Sequence, residues 1–121
     1  MQDLSNTELE IMLAIWQSHE PAVRDIVEVV YGKHSQSLHT TVKSLLERLI
    51  RKGFVECDRN DHIHRFRALV SRDEFAQSQV GKLAQSMYSG NLAPMLLSMV
   101  DQVHLSKKDK TTIEGILSKL K

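Results

Sequence analysis

The spacing of the apolar residues changes at Gly53, and this change limits the chain to few architectures. Before it, in SLHTTVKSLLERLIRKG, Leu38, Val42, Leu45, Leu46 and Leu49 recur every three or four residues, which marks one buried stripe of a helix. Ser37 is placed to cap that helix and Gly53 to end it. After it, FVECDR and HIHRFRAL alternate with the two-residue period of strands, and Asn60-Asp61 reads as a two-residue hairpin turn. That turn pairs Arg59 with His62, Cys57 with His64 and Val55 with Phe66. Val55, Cys57, His64 and Phe66 then face inward, and Ile63, Arg65 and Arg67 outward.

Two further helices precede this segment. Ser5 and Glu8 have capping-box spacing, and Leu9, Met12, Leu13 and Trp16 follow as an apolar stripe, with Trp16 as a core anchor. Pro21 interrupts the pattern. Val23, Ile26, Val27 and Val30 then share a second helical face that ends near Gly32, and the polar connector KHSQS leads into the third helix. Three helices followed by a hairpin outline a winged helix-turn-helix. In such a unit the third helix enters the major groove and the hairpin meets the flanking backbone or minor groove.

The formal net charge of +1 does not mark a nucleic-acid binder, but the placement of the charges does. Residues 43–67 hold seven cations against four acids, a balance of +3. Residues 1–42 hold two against six, a balance of −4. The third helix presents Thr40, Lys43, Ser44, Glu47 and Arg51 opposite its apolar stripe, flanked by His39, Thr41 and Arg48. These side chains can bond bases or phosphates. His39, Thr40, Lys43 and Ser44 are the candidates for base edges, and Arg48, Arg51 and Arg59 for phosphates. Thr41 suits either role, and His62 and Arg65 on the hairpin complete the DNA-binding set. Glu47 is spaced to pair with Arg51 one turn on.

A second module begins at Ser71, so the expected domains are residues 1–70 and 71–121. The expected fold is mainly α with a small β-hairpin wing, and the second domain is a three-helix dimerisation domain. Ser71 and Glu74 repeat the capping-box spacing, and Phe75, Val80, Leu83 and Met87 follow before Gly90. Asn91 caps a strongly apolar helix with Leu92, Met95, Leu96, Met99, Val100 and Val103, and Pro94 falls in its first turn. Ser106 and Asp109 open a last helix that aligns Ile113, Ile116, Leu117 and Leu120. Three short helices cannot cover this much apolar surface alone, and a twofold dimer is the simplest cover.

Other classes fit poorly. The chain has no phosphate-cradling glycine loop, no HExxH and no nucleophile elbow, so an enzyme is not expected. The acidic start MQDLSNTELE is unlike a signal peptide, and no apolar run reaches the ~20 residues of a membrane span, so a bacterial cytoplasmic protein is expected. One cysteine excludes an internal disulfide and suits a reducing compartment. Cys57, His62 and His64 invite a metal, but two of them fall on the core side and no fourth ligand is apparent. No metal or cofactor is expected. The alternative to a DNA reader is a winged-helix protein-interaction module that never touches DNA. Such a module would show an apolar third helix, whereas Thr40, Lys43, Ser44 and Arg51 are polar or cationic.

The runs LSNTELEIMLAIW, TTVKSLLERLIRKGFVE, RFRALVSRDEF and SGNLAPMLLSMV together resemble the penicillinase-repressor (BlaI/MecI) family over nearly the whole chain. The resemblance implies a dimeric repressor that binds a palindromic operator and leaves it on an inducing signal. In the best-known branch a sensor protease supplies that signal, cutting an Asn-Phe bond in the dimerisation helices. The corresponding pair here is Ser98-Met99, a departure that implies a different cleavage preference. The copper-responsive branch has a cysteine-rich tail, whereas the single cysteine here is Cys57.

Overall fold

A computed structural model describes residues 1–102 and 106–119. The chain folds as two compact units, Met1–Phe75 and Ala76–Lys121. The first contains α1 (Asn6–Gln17), α2 (Val23–Tyr31), α3 (Gln36–Arg51) and a two-stranded antiparallel hairpin of β1 (Val55–Asp58) and β2 (Arg65–Ala68). Helix α4 (Arg72–Tyr88) starts in the first unit and continues into the second, which also holds α5 (Leu92–Gln102) and α6 (Lys107–Lys119). The architecture is that of a winged helix-turn-helix followed by a helical domain.

Helix α1 starts at the expected capping box: the Ser5 hydroxyl accepts from the Glu8 N–H at 3.1 Å, and the Glu8 carboxylate accepts from the Ser5 N–H at 2.8 Å. Its buried face differs from the expected stripe. Ile11, Met12, Ala14 and Ile15 are buried, Leu9 and Trp16 partly so, and Leu13 is exposed. Glu8 lies on the buried face, one turn before Ile11 and Met12, and its carboxylate accepts from the Lys52 ammonium at 2.8 Å. The same ammonium donates to the Asp3 carbonyl at 3.0 Å, tying the end of α3 to the start of the chain.

Helix α2 stops at Gly32, whose φ of 74° is the left-handed conformation that glycine adopts without penalty. Helix α3 begins two residues earlier than expected, because Ser35, not Ser37, accepts from the Leu38 N–H at 3.1 Å. Residues 32–35 thus form the short glycine-containing turn of a helix-turn-helix. Val42, Leu45, Leu46 and Leu49 are buried and Leu38 partly so, which places the apolar stripe of α3 as expected. Gly53, at φ 81°, ends the helix and turns the chain into the hairpin.

The hairpin register departs from the two-residue turn. Val55 pairs with Ala68, Glu56 with Arg67, Cys57 with Phe66 and Asp58 with Arg65, so the connection is a six-residue loop, Arg59 to His64. The Asp58 carboxylate accepts from the Asn60 N–H at 3.0 Å and starts the turn one residue before Asn60-Asp61 would. The Phe66 N–H donates to the Pro21 carbonyl at 3.0 Å, which fixes β2 from its outer edge. The shift is by two residues, so Val55 and Phe66 still face the core. His64 is in the loop and exposed rather than on the core face.

Phe54 joins these elements. Its N–H donates to the Leu49 carbonyl at 3.0 Å, its carbonyl accepts from the Leu69 N–H at 2.8 Å, and its ring meets Phe75 edge-on at 5.8 Å. Phe75 is 6.2 Å from Trp16, whose indole N–H donates to the Val70 carbonyl at 2.9 Å. Phe54→Ala is expected to cost about 3–5 kcal/mol, because the fully buried ring leaves a cavity at the meeting point of α3, the hairpin and α4. Urea denaturation measures it. A loss below about 1 kcal/mol would show that the site collapses around the smaller residue.

The second unit repeats the local rules. Ahead of it, within the first unit, Ser71 and Glu74 form the expected capping box (3.0 and 3.3 Å); within it, Asn91 accepts from the Ala93 N–H at 3.2 Å, and Ser106 accepts from the Asp109 N–H at 3.1 Å. Among its described residues only Ala84 and Met95 of the apolar side chains are buried. Val80, Leu83, Met87, Leu92, Leu97, Met99 and Ile116 are exposed.

Candidate nucleic-acid interface

Turning about 100° per residue, α3 separates its buried stripe from an arc that carries Thr40, Thr41, Lys43, Ser44, Glu47, Arg48 and Arg51, all exposed. The Ser35 cap and the Gly53 stop set the ends of this arc, and Val42, Leu45, Leu46 and Leu49 hold it outward. Both threonine hydroxyls donate back to the helix, Thr40 to the Gln36 carbonyl at 3.0 Å and Thr41 to the Ser37 carbonyl at 3.1 Å. Their outward lone pairs can therefore accept, as from the amine of adenine or cytosine, and their methyl groups can meet a thymine methyl.

The cations of residues 43–67 divide into two groups. Lys52 is held by Glu8 and Asp3. Arg67 is held by Glu56 at 2.7 Å and Glu20 at 3.3 Å, and Arg65 donates to the Glu20 carbonyl at 3.1 Å. Among the described residues Lys43, Arg48, Arg51 and Arg59 make no such bond, and all four are exposed. Glu47 does not pair with Arg51. It is exposed and lines a groove between α2, α3 and the hairpin loop. The unengaged cations therefore coincide with the helix arc and the start of the wing loop, while the engaged ones brace the fold.

His39 departs most from its expected place. It is half-buried, with Nδ1 3.4 Å from Nε2 of His34 and the two rings nearly perpendicular, on the groove side of α3. His62 is exposed in the loop. Cys57 is half-buried opposite Phe66, so the hairpin does not pair it with His64. Among the described residues no three His, Cys, Asp or Glu side chains group to hold a metal ion. The residues missed at the sequence level are Glu8 and Lys52. A glutamate on the core face, one turn before Ile11 and Met12, was the one available signal.

The surface of the second unit follows the expected apolar set in part. Val80, Leu83, Met87, Leu92, Met99 and Ile116 are exposed, and Leu96, Val100 and Ile113 partly so. Phe75 instead belongs to the core of the first unit, where it meets Phe54 and Trp16, and Met95 is buried within the single chain. Val103, Leu120 and the side chain of Leu117 lie outside the described residues. Ser98 and Met99 are exposed on α5. No helix among the described residues is long and apolar enough to cross a membrane.

Comparison with known proteins agrees with this arrangement. The family model described as penicillinase repressor matches residues 4–119. The transcriptional regulator BlaI of Mycobacterium tuberculosis (strain ATCC 25618 / H37Rv) is 32% identical over 108 residues, covering 88% of this chain and 78% of that protein. The methicillin resistance regulatory protein MecI of Staphylococcus aureus (strain N315) is 24% identical over 117 residues, covering 97% of this chain and 94% of that protein. MecI of Mammaliicoccus sciuri matches to the same extent. With a winged helix-turn-helix in front, a helical unit behind and a family match over nearly its whole length, the chain belongs to the penicillinase repressor family and is a transcriptional repressor, not an enzyme.

Proposed function

We propose that the protein is a cytoplasmic homodimer that represses transcription by laying α3 of each subunit in the major groove of one half of a palindromic operator. The observation that carries this reading is the exposed arc of α3, where Thr40, Thr41, Lys43, Ser44, Arg48 and Arg51 stand clear of the core. Arg59, His62 and Arg65 extend the surface onto the wing, which meets the flanking backbone or minor groove. Phosphate contacts by Arg48, Arg51 and Arg59 position the protein, and Thr40, Lys43 and Ser44 read bases. His39, turned toward His34, acts at the edge of this surface.

Dimerisation rests on the uncovered apolar side chains of α4, α5 and α6. Exposure of several large apolar side chains on a small helical unit supports an interface there, and a second copy gives a closed twofold assembly. Replacing Leu83 and Met87 together by Glu is expected to convert the dimer to monomer in sedimentation at micromolar concentration, with helical content kept. Met87 is 69% exposed in the single chain, so the change leaves the monomer core intact. A dimer that persists would place the interface elsewhere.

Release follows an inducing signal, for which a sensor protease is one source. Ser98-Met99 lies inside α5, so cleavage there requires that helix to open locally and removes part of the dimer surface. The deciding experiment for the whole reading is the genome-wide recovery of DNA that co-purifies with the protein. A few palindromic sites upstream of genes are the expected result. Recovery of nothing above background by a folded dimer replaces this reading with a protein-interaction module.

A further inference from the structure

A groove of about 560 Å³ lies between α2, α3 and the Arg59–His64 loop, within the range of roughly 300–1,000 Å³ that small-molecule sites occupy. Its walls are apolar where Val23, Leu46, Ile63 and Phe66 line it. Ile63 stays 55% exposed even so, an apolar side chain on a loop that lines the groove. The rim carries two cations and an imidazole: Lys43 comes from α3, Arg59 and His62 from the loop, and among the described residues none of the three has a hydrogen-bond or ion-pair partner. The two other cations on the lining are engaged, Arg24 with Glu28 and Arg65 with the Glu20 carbonyl. Of the two acids, Asp25 turns its carboxylate to the Ala22 N–H at 3.0 Å, and Glu47 is the one left facing solvent on the α3 side.

An apolar floor under unengaged cations favours a ligand with a hydrophobic body and a single negative end. We propose that this groove takes a small amphipathic organic anion, a carboxylate carried on a ring or short hydrocarbon body, and that binding it displaces DNA. The carboxylate belongs at the loop side, by Arg59 and His62 and away from Glu47, with the body against Val23, Ile63 and Phe66. Displacement follows because Arg59 and His62 serve both ligands. It rests on the repressor reading, since the ligand displaced is the operator. Two sites that share side chains weaken each other reciprocally, so an effector here acts without cutting the chain.

The test uses the full-length dimer and three probes: 1-naphthoate, its uncharged analogue 1-naphthalenemethanol, and inorganic phosphate. In the absence of DNA, 1-naphthoate is expected to shift the NMR resonances of Val23, Ile63 and Phe66 saturably. The alcohol, lacking the charge, and phosphate, lacking the body, should bind at least about tenfold more weakly. Ile63→Ser should weaken naphthoate at least about fivefold and leave DNA affinity unchanged, since Ile63 is exposed and makes no proposed DNA contact. Naphthoate at ten times its Kd should then weaken operator binding about tenfold for each half-site, about 10²-fold for the dimer. The proposal is overturned if naphthoate gives no saturable shift, if phosphate binds as well, if Ile63→Ser changes nothing, or if naphthoate and operator bind together without mutual loss. Naphthoate seated in the groove of a chain that binds no DNA would sink the repressor reading and the displacement together, and leave the site standing.

Discussion

A dimer carrying Lys43→Ala is expected to bind the proposed operator roughly 10²-fold more weakly than the native protein at fixed salt. Lys43 is exposed on the arc of α3 and, among the described residues, has no partner to retain it. A lost base contact costs about 1–3 kcal/mol, and a twofold complex loses it in both half-sites. Fluorescence anisotropy measures this on the recovered operator and on unrelated DNA of equal length. The operator should lose far more than the unrelated duplex. Arg59→Ala should behave otherwise, weakening both duplexes alike and flattening the dependence of log K on log salt by about one unit per phosphate contact removed. Equal losses on the two duplexes for Lys43→Ala would move that residue from base reading to phosphate contact.

Lys52→Ala should destabilise the first unit by about 3 kcal/mol at neutral pH. The Glu8 side chain is 2% exposed and its Oε2 has no hydrogen-bond partner, so the Lys52 ammonium and the Ser5 N–H are what compensate its charge. Removing one partner strands a buried carboxylate, which costs about 3–5 kcal/mol, and the partial exposure of Lys52 (26%) places the effect at the low end. The pH dependence gives a sharper test. Burial raises the Glu8 pKa, but the hydrogen bond from Lys52, those from Ser5 and the Lys52 charge together bring it below its ordinary value. Glu8 therefore stabilises the native fold above the unfolded-state pKa, and that contribution is lost as pH falls through the lower folded value. Without Lys52 two of the causes that lower the folded pKa are gone, so it rises toward or above the unfolded-state value. The variant should then recover stability relative to the native protein as pH falls from neutral toward the unfolded-state value. Urea midpoints of the two proteins that stay parallel from pH 7 to 4 would show that Lys52 does not carry the Glu8 charge.

The pair also bears on the proposed DNA surface. It joins the start of α1 to the residue that caps α3, across 44 positions of sequence, and so holds the C-terminal end of α3 against the chain start. Glu8→Gln keeps the shape and removes the buried charge. It should cost less than Lys52→Ala, about 1 kcal/mol, because a neutral amide left beside a part-exposed ammonium strands no buried ion.

The features legible in the chain were those set by neighbours within about four residues. The Ser5–Glu8 and Ser71–Glu74 capping boxes, the stops at Gly32, Gly53 and Gly90, and the apolar stripe of α3 depend on local backbone geometry and periodicity, which a sequence carries directly. The polar arc of α3 followed because it is the complement of that stripe. Other features depend on residues far apart. The hairpin register rests on the Asp58 turn and on the Phe66 bond to Pro21, and no period-2 pattern distinguishes registers that differ by two residues. Phe75 became core because Phe54 and Trp16 reach it, Glu8 was buried because Lys52 meets it, and His39 turned inward because His34 lies beside it. Which cations stay unengaged was settled the same way, by the Glu20, Glu56 and Glu8 carboxylates that hold Arg67 and Lys52 and by the Glu20 carbonyl that holds Arg65. Charge and period are properties of the chain, whereas pairing and burial exist only once distant segments meet.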